Sequence, residues 1–169
     1  MNNIAKLKAC LPLNLWGINQ AKIFPQLVSE IEAGETEILW EGQKPIRCIR
    51  VARVDVQFLD KHLIETKQVF TDGRTRIRNI RGISEKLHQS ENFLDGAVRG
   101  IREELGLALP ASMFNYIGEN LEMKESPSYP GLETRYVFGD FSVELPGQLW
   151  QREFVAIEDY STTYFGWAN

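Results

Sequence analysis

The stretch that decides the fold is Glu91-Asn92-Phe93-Leu94-Asp95-Gly96-Ala97-Val98-Arg99-Gly100-Ile101-Arg102-Glu103-Glu104-Leu105-Gly106-Leu107. Leu94, Ala97, Val98, Ile101 and Leu105 recur at the three- and four-residue spacing that lines side chains along one side of an α-helix. This predicts a helix from about Glu91 to Leu105, ended by Gly106, because glycine adopts the left-handed conformation of helix C-termini at little cost. The apolar stripe leaves Gly96, Arg99, Gly100, Glu103 and Glu104 around the other side. Two adjacent carboxylates thus stand at the edge of a packed helix. Exposed glutamates are common on helices, and only the surrounding spacing separates this pair from an ordinary solvated face.

That spacing is specific. From Glu91 the chain reads Glu91-x7-Arg99-Gly100-Ile101-Arg102-Glu103-Glu104-Leu105-Gly106-Leu107, which resembles the C-terminal part of the Nudix box, G-x5-E-x7-R-E-U-x-E-E-x-G-U with U aliphatic. Glu91, Arg99, Ile101, Glu103, Glu104, Gly106 and Leu107 match in register. Two positions depart from the pattern. Glu85 stands where the box glycine is expected, the nearest glycine being Gly82, and Gly100 replaces the glutamate that follows the box arginine. In many family members that glutamate is a metal ligand or the base that activates water.

The resemblance implies an α/β fold, a Nudix-like α/β/α sandwich with a mixed sheet. It also implies Mg2+ or Mn2+ held at Glu103 and Glu104, with Gly82 counted in the metal site, and an ion pair between Glu91 and Arg99 fixing the loop to the helix. Magnesium prefers oxygen ligands and keeps several waters, so a few carboxylates suffice. Consecutive glutamates on a helix point in different directions and grip a metal cluster from two sides. With Gly100 in place of the family carboxylate, a base must come from elsewhere; Glu133 is the first choice, with Glu85, Glu122 and Glu125 behind it. The pairing of Gly96 and Gly100 one turn apart suggests close approach by a packed neighbour, a ligand phosphate or an arriving carboxylate, since interior glycines cost roughly 1 kcal/mol each.

Residues 1–44 read as an amino-terminal extension with a helix capped by Asn19, its apolar side Ala21, Phe24, Val28 and Ile31, Pro25 near its start and Gly34 at its end. Ala52, Val54, Val56 and Phe58 alternate with polar residues as a strand, out of phase with Ile49 and Val51, as though a bulge lay near Val51. Leu63 to Phe70, Asp72-Gly73 and Arg74 to Arg78 form a hairpin pattern. Arg74, Arg76 and Arg78 share one strand face and are candidates to bind substrate phosphate. Tyr136 to Leu145 reads as a further strand. Ser126 to Glu133 is similar to the Ser-Pro-Gly segment of Nudix enzymes acting on ADP-ribose and related nucleotide sugars, a loop placed to close over substrate. Tyr164, Phe165 and Trp167 are candidates for stacking on a base or for core packing. His62 and His88 have no partner at ligand or triad spacing and receive no role.

At 169 residues the chain is expected to be one domain, 1–169, with the box in 82–107. A formal net charge of −4 argues against a nucleic acid duplex as partner. No apolar run approaches the ~20 residues of a membrane span, and Pro12 and Asn14 interrupt the only stretch resembling a signal peptide. Cys10 and Cys48 lack paired spacing, which favours a reducing, cytoplasmic setting. The expected activity is hydrolysis of a nucleoside diphosphate linked to another group, ADP-ribose or nucleotide-sugar-like, possible as a homodimer. The alternative is a Nudix-fold nucleotide- or protein-binding module without catalysis. An isoprenoid diphosphate isomerase on the same fold is unsupported by the surroundings of either cysteine.

Overall fold

In the computed structural model, which describes residues 3–18 and 21–169, alternation and helical spacing become strands and helices in the order α1 (Asn3–Cys10), α2 (Phe24–Glu32), β1 (Glu37–Glu41), β2 (Lys44–Phe58), β3 (Lys61–Phe70), β4 (Thr75–Arg81), β5 (Ile83–Lys86), α3 (Phe93–Leu105), β6 (Asn115–Glu125), β7 (Glu133–Glu144), β8 (Phe154–Ile157) and β9 (Ser161–Ala168). The strands form a large mixed sheet with the hydrogen-bonded order β6-β7-β2-β3-β9-β8; β1 and β5 pair with β2, and β4 with β3. The expected mixed α/β class is what the chain adopts. Asn19, the expected helix cap, lies outside the described residues.

Contacts gather into two units. The first comprises Met1–Val51, Lys86–Glu91 and Asn120–Phe138. Here α2 starts at Phe24 with Pro25 in its first turn, where a missing N–H costs nothing. It buries Leu27 and Glu30, whereas the sequence pattern pointed to Val28. The reason is electrostatic as much as apolar: Glu30 accepts hydrogen bonds from Lys22 (2.6 Å), Arg47 (2.5 Å), Thr36 (3.3 Å) and the Tyr129 hydroxyl (2.9 Å). Burial opposes its ionisation, but the Lys22 bond and the charges of Lys86 and Arg47 outweigh it and hold the carboxyl at about 2. Leu7, Leu11, Trp16, Leu27, Tyr129 and Leu132 form the apolar core beside it.

The second unit comprises Ala52–Glu85, Asn92–Glu119 and Gly139–Asn169. Within β2 the burial phase changes where the sequence indicated, with Val51 and Ala52 both buried in succession. The β3–β4 hairpin closes through Gly73, at φ +87°, whose N–H bonds Phe70 O at 2.9 Å. β3 pairs with β9 as well as β4, and the register slips between Glu65 and Lys67 on both sides. One extra residue there reverses which side chains share a face.

Candidate active site

Helix α3 is set by its ends. The Asn92 side chain caps it, accepting from the Asp95 N–H at 2.9 Å, and Gly106 closes it at φ +69° with its N–H on Arg102 O at 3.0 Å. Ala97, Ile101 and Leu105 are buried as the stripe required, while Leu94 and Val98 are only half-buried. Gly96 and Gly100, expected on the open side, are buried instead. Close approach marks the start and the middle of the helix. A Cβ on Gly139 of β7 would fall 2.4 Å from the Phe93 ring, and one on Gly100 would fall 2.9 Å from Cβ of Glu85 on β5. The neighbour that needs Gly100 is therefore a strand bearing a carboxylate.

This docking places Glu104 in a polar cleft lined also by Glu65, Gln68, Arg78, Gly82, Ile83, Ser84, Glu158, Thr163 and Phe165. The register slip in β3 builds its floor. Glu65 and Gln68, three residues apart, would face opposite ways in a regular strand; the extra residue turns both toward the cleft, opposite Phe165 and Thr163 of β9. Burial, then the like charges of Glu158, Glu85, Glu65 and Glu103, push Glu104 up to about 7. Burial also raises Glu65, with Glu158 adding to it and Arg78 and Arg76 opposing. Arg78 Nε lies 3.1 Å from Glu65 Oε1, an ion pair whose angle does not make a hydrogen bond.

Arg99 binds the outer edge of this cluster. It donates to Glu85 at 2.8 Å and to Glu103 at 2.9 Å. Glu103 is exposed, so the two box glutamates have separate surroundings: Glu104 inside the cleft, Glu103 at the helix surface under Arg99. The box positions thus lie on a strand, loop and capped helix docked to a large mixed sheet. The fold is a mixed α/β one, a large sheet with helices.

No protein-family model matches the chain, and no curated protein matches it. Among solved structures it is similar to the dihydroneopterin triphosphate pyrophosphohydrolase of E. coli, with 18% identity over 70% of this chain and 78% of that one and a TM-score of 0.48. It is similar also to an Ap4A hydrolase of C. elegans, with 10% identity over 72% and 80% and a TM-score of 0.40. A MutT/nudix family protein from Enterococcus faecalis shares 14% identity over 86% of this chain and 59% of that one, with a TM-score of 0.44.

The other residues singled out in the sequence are dispersed. Gly82 lines the cleft beside Glu104. Of the three arginines only Arg78 does; Arg74 is exposed, bound to Asp72 at 2.7 Å and lying over the Phe70 ring, and Arg76 acts on Glu65 through its charge. Glu133 opens β7 in the first unit and accepts from Lys44. Glu125 accepts from the Gly131 N–H at 2.6 Å, and Glu122 from Lys124 at 3.1 Å. The Glu91 carboxylate accepts from the His88 N–H at 3.1 Å; Glu91 belongs to the first unit and Arg99 to the second. The loop from Ser126, expected as a cover, is anchored in the first unit: Ser126, Tyr129 and Leu132 are buried, and Trp16 donates to Pro130 O at 2.8 Å. Of the aromatics, Phe165 lines the cleft, Trp167 packs on Phe58 and Phe154, and Tyr164 carries Lys67 over its ring. Sequence reasoning missed Glu65 and Glu158. His62, given no role, meets Asp55 at 3.0 Å.

The cleft's carboxylates are oxygen donors, the type that hard divalent cations take. Among the described residues no three His, Cys, Asp or Glu side chains converge closely enough to form a metal site by themselves. Yet Glu104 is a half-buried carboxylate among four like charges, and a cation is what would relieve its raised pKa. Magnesium binds through one or two carboxylates while keeping waters, and Glu65, Glu104 and Glu158 line the same cleft. Among the described residues no helix is long and apolar enough to cross a membrane.

Proposed function

We propose that residues 1–169 act as a single Nudix-like domain, a metal-dependent pyrophosphohydrolase of a nucleoside diphosphate linked to another group. The observation that carries this reading is Glu104 in a cleft with Glu65, Glu158 and Arg78, its carboxyl raised to about 7. Glu104 is the principal ligand for Mg2+ or Mn2+, with Glu65, Glu158 and Gly82 around it, and Glu103 the outer box carboxylate. The bound cation supplies positive charge against the diphosphate oxygens and acidifies the attacking water. Arg78 offers its guanidinium to the diphosphate from the cleft wall. Glu85, which occupies the space opened by Gly100, is now preferred to Glu133 as the carboxylate that accepts the water's proton. Arg99 fixes Glu85 in place.

One observation favours a second reading. Glu85 is held by a charged hydrogen bond from Arg99 at 2.8 Å, a structural ion pair that needs no catalytic role, as suits a domain that binds a nucleotide without cleaving it. A screen of nucleoside diphosphate sugars, dinucleoside polyphosphates, cofactors and nucleoside triphosphates with Mg2+ or Mn2+, reading released phosphate, separates the two. Metal-dependent turnover of one class supports the hydrolase. Nucleotide binding with no turnover on any of them supports the binding module.

A further inference from the structure

Four polar residues of the second unit meet on one face because of strand register. Gln57 stands opposite His62 in the β2–β3 pair and Ile64 opposite Arg81 in β3–β4, so the two-residue period puts Asp55, Gln57, His62 and Arg81 on one side. Arg81 grips Asp55 with both arms of its fork, Nε to Oδ1 at 2.9 Å and Nη2 to Oδ2 at 2.7 Å. Gln57 Nε2 donates to Oδ2 at 2.6 Å, and His62 Nδ1 lies 3.0 Å from Oδ1. Burial opposes ionisation of Asp55, but the bonds from Arg81, Gln57 and His62 outweigh it and hold the carboxyl at about 2.

The residue after Arg81 is Gly82, at φ +70°, whose N–H bonds Leu63 O at 2.7 Å. Its main chain is pressed against β2: a Cβ there would fall 2.1 Å from Val54 O and 3.2 Å from Cα of Asp55. Only glycine fits, and Gly82 lines the Glu104 cleft. We infer that Asp55, Arg81 and His62 are positioning residues for that cleft, a clamp on the outer sheet face that fixes the Gly82 turn and so the wall facing Glu104. The inference rests on the metal-binding reading of Glu104. The clamp touches neither cation nor substrate; it acts through the single backbone step from Arg81 to Gly82.

The test is Mn2+ binding to the full chain, followed by the electron paramagnetic resonance of free Mn2+, with thermal unfolding of each variant alongside. Asp55→Asn and Arg81→Lys each remove the two-armed grip, and each is expected to weaken Mn2+ binding roughly tenfold, the scale seen for residues that orient metal sites from outside. Asp55→Glu, which keeps the charge, is expected to restore most of it. Should Asp55→Asn fail to fold, Arg81→Lys retains the cation and carries the test. If Arg81→Lys binds Mn2+ as tightly as wild type while Glu104→Gln does not, the clamp is overturned and the metal site stands. If Glu104→Gln also binds like wild type, the reading of the cleft falls and the clamp with it.

Discussion

Glu85 lies against Gly100 so closely that a methyl group on the glycine would stand 2.9 Å from its Cβ and 3.2 Å from its Cγ. The contact accounts for a glycine in the middle of a helix and for a carboxylate beside the box where the usual one is missing. It also sets the sign of a mutation. Gly100→Ala gains about 1 kcal/mol of helix propensity but overpacks β5 at a cost of about 1 to 3 kcal/mol, so the net expectation is a loss of stability. Gly100→Glu should lose more and should crowd the site rather than restore it. Urea denaturation checks both; a variant stabilised by the full propensity gain would mean that Glu85 moves away freely.

Burial of Ile101 beneath α3 is complete. Ile101→Ala is therefore expected to cost about 2 to 5 kcal/mol, read as a lower urea midpoint with unchanged slope. An unchanged midpoint would place the wrong face of the helix against the sheet.

Glu104 predicts an unusual pH dependence. Its folded pKa of about 7 is above the ordinary 4.5, so the native state holds its proton more tightly than the unfolded chain. The associated stability is complete below about pH 4.5 and is lost as pH rises through about 7. Without divalent metal the melting temperature should fall across that window more than in Glu104→Gln. Mg2+ added at pH 7.5 should recover it, because a cation at the cleft favours the ionised carboxylate. Equal pH profiles for wild type and Glu104→Gln would contradict the placement of Glu104.

Glu30 carries the opposite expectation. Its carboxyl is depressed to about 2 inside a shell of Lys22, Arg47, Thr36 and Tyr129, so its contribution is present above about pH 4.5 and lost on acidification. Glu30→Ala leaves Arg47 buried without its partner and should cost about 3 to 5 kcal/mol. Thermal and urea unfolding at pH 7 measure it; a cost below 1 kcal/mol, as for a surface pair, would mean that the cluster is open to water.

What the sequence made legible was local. Helix α3, its glycine stop and the β3–β4 turn follow from spacing and backbone preference within a few residues, and all three appear where that spacing put them. Glu104 as a cleft residue was legible through the box. Glu65 and Glu158 were not, because the first depends on a one-residue slip in β3 and the second comes from the turn between β8 and β9, neither of which leaves a periodic trace. Gly96 and Gly100 misled because glycine carries no hydropathy signal, and at Gly100 the burial reflects the close approach of Glu85. Leu27 was overlooked beside a charged Glu30, since a buried ion pair looks like a solvated one until Arg47 is brought to it.

Glu104, and not Glu133 at the end of the Ser126 to Glu133 segment, is proposed to govern metal-dependent cleavage. The most direct measurement is turnover of the best substrate from the screen with saturating Mg2+ at pH 7.5, for wild type, Glu104→Gln and Glu133→Gln. A loss of roughly a hundredfold or more is expected in Glu104→Gln, with near wild-type kcat in Glu133→Gln. Wild-type turnover in Glu104→Gln, or its collapse in Glu133→Gln alone, would contradict it.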